Sequence, residues 1–95
     1  MTDPQETPAP PPPDAIARLH AGVRAAMSLG LRWRNWSAEN APAIALYDEH
    51  DSYIGCAELN PGGVFFKGKL DRADRDRAER FKQAYTAELR KGAPA

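Results

Sequence analysis

The sequence predicts an α+β domain in which two helices flank a three-stranded antiparallel sheet, in the order α-β-β-β-α, after a proline-rich N-terminal tail. Three observations lead to this prediction. Apolar residues recur at helical spacing near both ends of the chain, and short apolar runs between them are separated by turn-forming residues. Six of the nine prolines lie within the first thirteen residues. The length of 95 residues leaves room for one domain.

The tail, residues 1–13, is predicted to be disordered, because proline fixes φ and lacks the amide donor that helix interiors and central strands need. Its overlapping PxxP patterns leave two interpretations open, a recognition motif for an aromatic groove and a plain spacer. The folded domain is therefore placed at residues 14–91, and residues 92–95 are predicted to be a disordered C-terminus.

The first helix is predicted to begin at Asp14, which suits the N-cap position, and to end near Ser28. Gly30 stands where a left-handed C-terminal residue is expected. The buried stripe of this helix is predicted from apolar residues at helical spacing: Ile16, Leu19, Val23 and Met27, with Ala26 alongside.

The middle of the chain predicts a meander of short strands joined by polar and glycine-containing turns. Residues 31–36 alternate briefly between apolar and polar types and are interpreted as a short edge strand or an extended arm. The three predicted strands are residues 43–47, 53–59 and 64–70. A last helix is predicted from Asp71 or Asp74 to about Lys91, with an apolar stripe formed by Ala78, Phe81, Tyr85 and Leu89.

Alternation along the third predicted strand divides its side chains between two faces of the sheet. Val64, Phe66 and Leu70 are assigned to the core, whereas Phe65, Lys67 and Lys69 are assigned to the outer face. This assignment leaves an exposed phenylalanine between lysines. A register slip of one residue would exchange the two faces, and that alternative stays open.

Composition excludes several function classes. Thirteen basic residues balance thirteen acidic ones, so no chain-wide field for polyanions exists. One cysteine, Cys56, excludes an intramolecular disulfide. No secretory signal and no apolar run of membrane-spanning length is recognisable, so we expect a cytoplasmic protein without a membrane partner.

Catalytic and metal-binding constellations are not found, and we expect neither an enzyme nor a bound cofactor. Cys56 lies in a predicted strand, and only His20 or His50 could serve it as a base. One cysteine and two distant histidines fit no zinc spacing. The cluster Asp48, Glu49, His50 and Asp51 is interpreted as an acidic solvated turn, because the spacing of a calcium loop is absent.

Aromatic and basic residues suggest binding. Residues 15–38 carry four arginines and no acid, and residues 67–82 carry seven bases against four acids. The candidate binding residues are Arg32, Trp33, Arg34, Trp36, Phe65, Lys67 and Lys69. The first hypothesis is a non-enzymatic protein-binding module, since tryptophan, tyrosine and arginine dominate interface hot spots.

The second hypothesis is a nucleic-acid-binding regulator that uses Arg32, Arg34, Lys67 and Lys69, since rings beside cations suit single strands. A structural interpretation, in which Trp33 and Trp36 only cap the core, also stays open. Monomer and homodimer are both compatible with the sequence.

Overall fold

A computed structural model describes residues 15–38 and 41–92. Two helices and four strands follow one another along the chain: α1 (Ala15–Ser28), β1 (Arg32–Asn35), β2 (Ala43–Tyr47), β3 (Tyr53–Asn60), β4 (Gly63–Lys67) and α2 (Arg72–Gly92). The predicted tail at residues 1–13 and the predicted N-cap at Asp14 lie outside the described residues. Of the predicted C-terminus at residues 92–95, Gly92 is the last residue of α2 and residues 93–95 lie outside the described residues. No helix in the described part of the chain is long and apolar enough to cross a membrane.

The architecture is α+β with two helices beside an antiparallel sheet, but the prediction of three strands is wrong, because the sheet has four. The strand order β1-β2-β3-β4 is that of a simple meander. The additional strand is β1, which pairs with β2 from Arg32 opposite Tyr47 to Asn35 opposite Ile44. The interpretation of this segment as an edge strand is thus confirmed.

The end of α1 explains why β1 forms where it does. Gly30 has φ of 70°, and the N–H of Leu31 donates to the carbonyl of Ala26 at 2.9 Å. This pattern is a Schellman-type helix end, which reverses the chain within two residues. The chain therefore returns along the sheet immediately, with Arg32 already paired.

A β-bulge interrupts the pairing of β2 with β3. Leu46 lies opposite Gly55 and Tyr47 lies opposite Tyr53, so Ile54 is an extra residue without a partner on β2. Ile54 is buried in the core, and Tyr53 is exposed on the other face beside Tyr47. The bulge therefore decides which of two neighbouring side chains faces solvent.

The core lies between one face of the sheet and both helices. Its largest fully buried side chains are Ile44, Leu46 and Leu59 from the sheet and Phe81 and Tyr85 from α2. The predicted stripe of α2 is confirmed, with Leu89 packed at its margin. We call this side of the sheet the helix face and the opposite side the open face.

The predicted stripe of α1 is wrong at its two ends. Ile16 and Met27 are exposed, and the buried residues are small: Ala21, Gly22, Ala25 and Ala26. Gly22 shows the reason, because a Cβ atom placed there would lie 2.6 Å from Cδ1 of Leu59. The helix presents its smallest side chains to the sheet, which permits a close approach that larger residues would prevent.

The predicted division of β4 between two faces is confirmed within the strand. Phe66 is buried in the core, whereas Phe65 and Lys67 are exposed. The strand ends at Lys67, before the predicted end at residue 70. Gly68, with φ of 80°, turns the chain there, so Lys69 does not belong to the sheet.

Candidate functional site on the open face of the sheet

The open face carries an unusual set of outward side chains for a solvated antiparallel sheet, where polar residues normally alternate outward. From edge to edge, three cross-strand rows make up this face. The first row is Arg32, Tyr47 and Tyr53; the second is Arg34, Ala45, Cys56 and Lys67; the third is Ala43, Glu58 and Phe65. Trp36 continues β1 in the third row, because its N–H donates to the carbonyl of Ala43 at 2.9 Å.

Small residues form the floor in the middle of the open face. Ala43, Ala45 and Cys56 are only 7%, 4% and 8% exposed. Both helices pack on the helix face, so taller side chains on the open face itself must shield these three residues. The middle of the open face is therefore a floor of small residues that larger neighbouring side chains cover.

Exposed aromatic rings lie on both sides of this floor. Trp36 is 68% exposed on the β1 side, and Phe65 is 57% exposed on the β4 side. Tyr53 is also exposed and contacts Tyr47 edge to face, with ring centroids 5.6 Å apart. Aromatic side chains left in water at this density are typical of surfaces that a partner covers.

Cations and carboxylates are interleaved with the rings. The guanidinium of Arg34 lies over the ring of Tyr47, 5.7 Å from its centroid. Nζ of Lys67 lies 3.1 Å from Oε2 of Glu58, and Nη1 of Arg32 lies 2.8 Å from Oδ1 of Asp51. Arg34 has no ion pair within the described residues and remains able to accept a carboxylate from outside.

Local electrostatics follow from these contacts. The hydrogen bond with Glu58 raises the pKa of Lys67. Burial raises the pKa of the Cys56 thiol, although Lys67 opposes the shift. Burial also raises the pKa of Tyr53. Both protonated groups, the thiol and the phenol, are therefore neutral at physiological pH, so the charge of the open face comes from its arginines, lysine and carboxylates.

The structure brings together five of the seven residues singled out in the sequence. Arg32, Arg34 and Trp36 of the β1 segment and Phe65 and Lys67 of β4 share the open face. The remaining two lie elsewhere: Trp33 points to the helix face, beside α1, and Lys69 follows the end of β4. The interpretation of Trp36 as a cap on the core is not supported, because Trp36 is not among the residues that pack there.

Sequence reasoning missed the floor and the centre of this face, which are supplied by Ala43, Ala45, Cys56 and Glu58. Alternation along β2 and β3 separates their side chains into two sets, but small residues give little indication of which set is outward. Only the register shows that Cys56 lies between Ala45 and Lys67.

Within the described residues, the fold brings neither histidine to Cys56. Cys56 has Ala45 and Lys67 as cross-strand neighbours, whereas His20 lies on α1 and His50 lies in the turn between β2 and β3. Among the residues that the structure describes, no group of three or more histidine, cysteine or acidic side chains could hold a metal ion.

Comparisons with protein-family models, with curated proteins and with solved structures gave no match to this chain. The geometry and chemistry of the open face are therefore the basis for proposing a function.

Proposed function

We propose that this protein is a small non-enzymatic binding module that docks a partner protein on the open face of its sheet. The observation that carries the proposal is the clustering of Trp36, Tyr53 and Phe65, all more than half exposed, around a floor of small side chains. Tryptophan, tyrosine and arginine supply most hot-spot energy at protein interfaces. The helices already cover the other face, so a partner would complete the second side of the sheet.

The charges of this face indicate the chemistry of the partner. Arg32, Arg34 and Lys67 contribute three positive charges, and Asp51 and Glu58 contribute two negative ones. Among the described residues, Arg34 is the cation of this face without an ion pair, and the ring of Tyr47 holds it in place. The partner that fits is an apolar protein surface with a carboxylate at its border, placed to pair with Arg34.

A nucleic-acid partner fits this face less well. Two of the four cations proposed for that role, Arg32 and Lys67, already pair with carboxylates, and Lys69 lies outside the sheet. Glu58 stands in the row between the two edge aromatics, where it would repel a phosphate backbone.

A cytoplasmic location is part of the proposal, since a domain with one thiol and no disulfide has no need of an oxidising compartment.

The experiment compares three baits in affinity capture with quantitative mass spectrometry: the wild type, the double variant Trp36→Ala/Phe65→Ala, and Met27→Ala. Met27 is 66% exposed, close to the 68% of Trp36, but lies on α1, so it controls for general stickiness. We expect a partner that the double variant loses and Met27→Ala retains. Circular dichroism and thermal unfolding establish that each bait is folded.

The second arm measures fluorescence polarisation with single-stranded DNA and RNA homopolymers over a range of salt concentrations. We expect neither DNA nor RNA to bind with an affinity that falls steeply as the salt concentration rises. Salt-dependent binding that the double variant abolishes would overturn the proposal in favour of a nucleic-acid partner. Partner recovery that is equal for all three baits would also overturn it.

A further inference from the structure

A groove lies on the helix face of the sheet, between α1 and the edge strand β1. It has a volume of about 440 Å³ and is lined by Leu19, His20, Val23 and Arg24 of α1 and by Trp33 and Asn35 of β1. Its lining is mostly apolar, and Trp33 is 39% exposed along it. Arg24 is occupied by an ion pair with Glu88, in which Nε lies 2.9 Å from Oε1.

The strand beside this groove has a free edge. The strand order puts β1 at the margin of the sheet, so no strand of the described residues pairs with its outer side. Hydrogen bonding alternates along an antiparallel pair, and the N–H of Trp36 donates to Ala43. Arg34 and Arg32 therefore also bond to β2, and the amide groups of Trp33 and Asn35 point away from the sheet.

We infer that the groove binds an extended peptide of a partner protein, which adds to β1 as a fifth strand. Strand addition obtains affinity from main-chain hydrogen bonds and specificity from pockets for alternate side chains. Here the amides and carbonyls of Trp33 and Asn35 supply the main-chain partners. The groove against Leu19 and Val23 takes the apolar side chains of the peptide.

The same alternation defines the other side chains of the peptide. Residues that lie opposite Trp33 and Asn35 face the groove, and those that lie opposite Arg32 and Arg34 face the open side. Acidic side chains at the second set of positions would pair across the strands with the unpaired Arg34. The peptide that fits therefore alternates apolar and acidic residues.

A second copy of the chain fits this edge poorly. A two-fold axis that pairs β1 with itself must place residues of the same face opposite each other. The two registers with the greatest overlap then place Arg34 opposite Arg32 or opposite Arg34 of the other copy. Like charges directly opposite destabilise a strand pair, so a heterologous peptide is the favoured occupant.

The proline-rich residues 8–13 of the chain itself are also unsuited to this role. Five of these six residues are proline, and proline has no N–H to donate to a strand ladder. Before them, Pro4 divides residues 1–7 into two runs of three residues, which are too short for a strand ladder. The proposed occupant is therefore a segment of another protein.

The test compares two substitutions at Asn35, both of which lose the hydrogen bond that Asn35 Oδ1 accepts from the N–H of Ser37. Asn35→Ala removes the side chain and keeps the N–H, whereas Asn35→Pro removes both. Because this N–H points away from β2, proline at this position leaves the pairing of β1 with β2 intact, as edge strands allow. Thermal unfolding of both variants verifies that they are folded.

The probes are two hexapeptides, one of alternating valine and glutamate and one of alternating valine and lysine, each with a fluorophore. We expect the acidic peptide to bind the wild type and to slow hydrogen exchange at the amides of Trp33 and Asn35. Asn35→Pro should bind the acidic peptide about tenfold more weakly than Asn35→Ala, because proline cannot form one of the ladder hydrogen bonds. The basic peptide should bind several-fold more weakly than the acidic one.

Three results would overturn the inference: no slowing of exchange at these two amides, equal affinity of the proline and alanine variants, or a preference for the basic peptide. The peptide would share Arg34 with the open face, but neither Trp36 nor Phe65 lines the groove. Trp36→Ala/Phe65→Ala should therefore leave the affinity for the acidic peptide within about twofold. Loss of peptide binding in that double variant would place the peptide on the open face and contradict the groove.

Discussion

The hydroxyl of Tyr85 donates a hydrogen bond of 2.8 Å to the carbonyl oxygen of Asn60. This contact joins the middle of α2 to the end of β3, where the chain turns into β4. Tyr85 is fully buried, and its ring stacks near Phe81, with centroids 6.5 Å apart. The hydrogen bond therefore links α2 to the end of β3, next to the turn that leads into β4.

Removing this hydrogen bond should destabilise the fold. Tyr85→Phe keeps the ring but leaves the Asn60 carbonyl without its donor, so we expect the free energy of unfolding to fall by about 1 kcal/mol. Urea denaturation measures the change. Tyr53→Phe, at an exposed tyrosine, serves as the matched control and should have little effect. Equal effects of the two substitutions would contradict the role of the contact.

Tyr85 should also make stability depend on alkaline pH. Burial raises its pKa from 10.0 to about 12. The unfolded chain then loses this proton at a lower pH than the folded protein, so its stabilising contribution is complete below pH 10 and is lost between pH 10 and about 12. Urea titrations across this window should show a shallower decline for Tyr85→Phe than for the wild type. The same slope for both would refute the expectation.

The close approach of Gly22 to Leu59 makes a second stability prediction. Gly22→Ala should gain helix propensity but must displace the buried Leu59 side chain, and we expect a net loss of about 1 kcal/mol. A double-mutant cycle with Leu59→Ala tests the cause, because the larger cavity should accommodate the added methyl group. Additive effects of the two substitutions would show that the steric contact is unimportant.

The ion pair between Glu58 and Lys67 provides a test that separates the two classes of partner. Glu58→Gln removes the carboxylate from the open face, and the pKa of Lys67 should fall towards its ordinary value. Stability should change little, because exposed ion pairs contribute little. We expect single-stranded DNA and RNA still not to bind this variant at low salt. Tight, salt-sensitive binding would indicate that the open face is a nucleic-acid surface whose binding the Glu58 carboxylate prevents in the wild type.

Large side chains made part of the fold predictable. The stripe of α2 contains Phe81 and Tyr85, whose burial is strongly favourable, so helical spacing identified the buried face correctly. In α1 the same procedure failed, because the helix buries alanines and Gly22 and leaves Ile16 and Met27 exposed. Periodicity weights residues by hydrophobicity, whereas close helix–sheet packing also selects them by size.

The strands show a second limit. The sequence of β1 is four residues long, contains two arginines and has no turn signal, so it did not distinguish a strand from an extended arm. Its pairing depends on β2, which the local sequence does not reveal. The open face was predictable only in part for the same reason. Phe65 and Lys67 were assigned outward from alternation within one strand. The place of Tyr53 depends on a bulge between two strands, which single-strand alternation does not reveal.

The most direct test of the proposed function is amide chemical-shift mapping of the isotope-labelled protein during titration with the protein partner captured by the wild-type bait. We expect the largest changes to follow the open face, at Trp36, Tyr53, Cys56 and Phe65, and the exposed side of α2 to change little. Trp36→Ala/Phe65→Ala should abolish these changes, and Met27→Ala should preserve them. Changes confined to the two helices, with an unperturbed open face, would refute the proposed function.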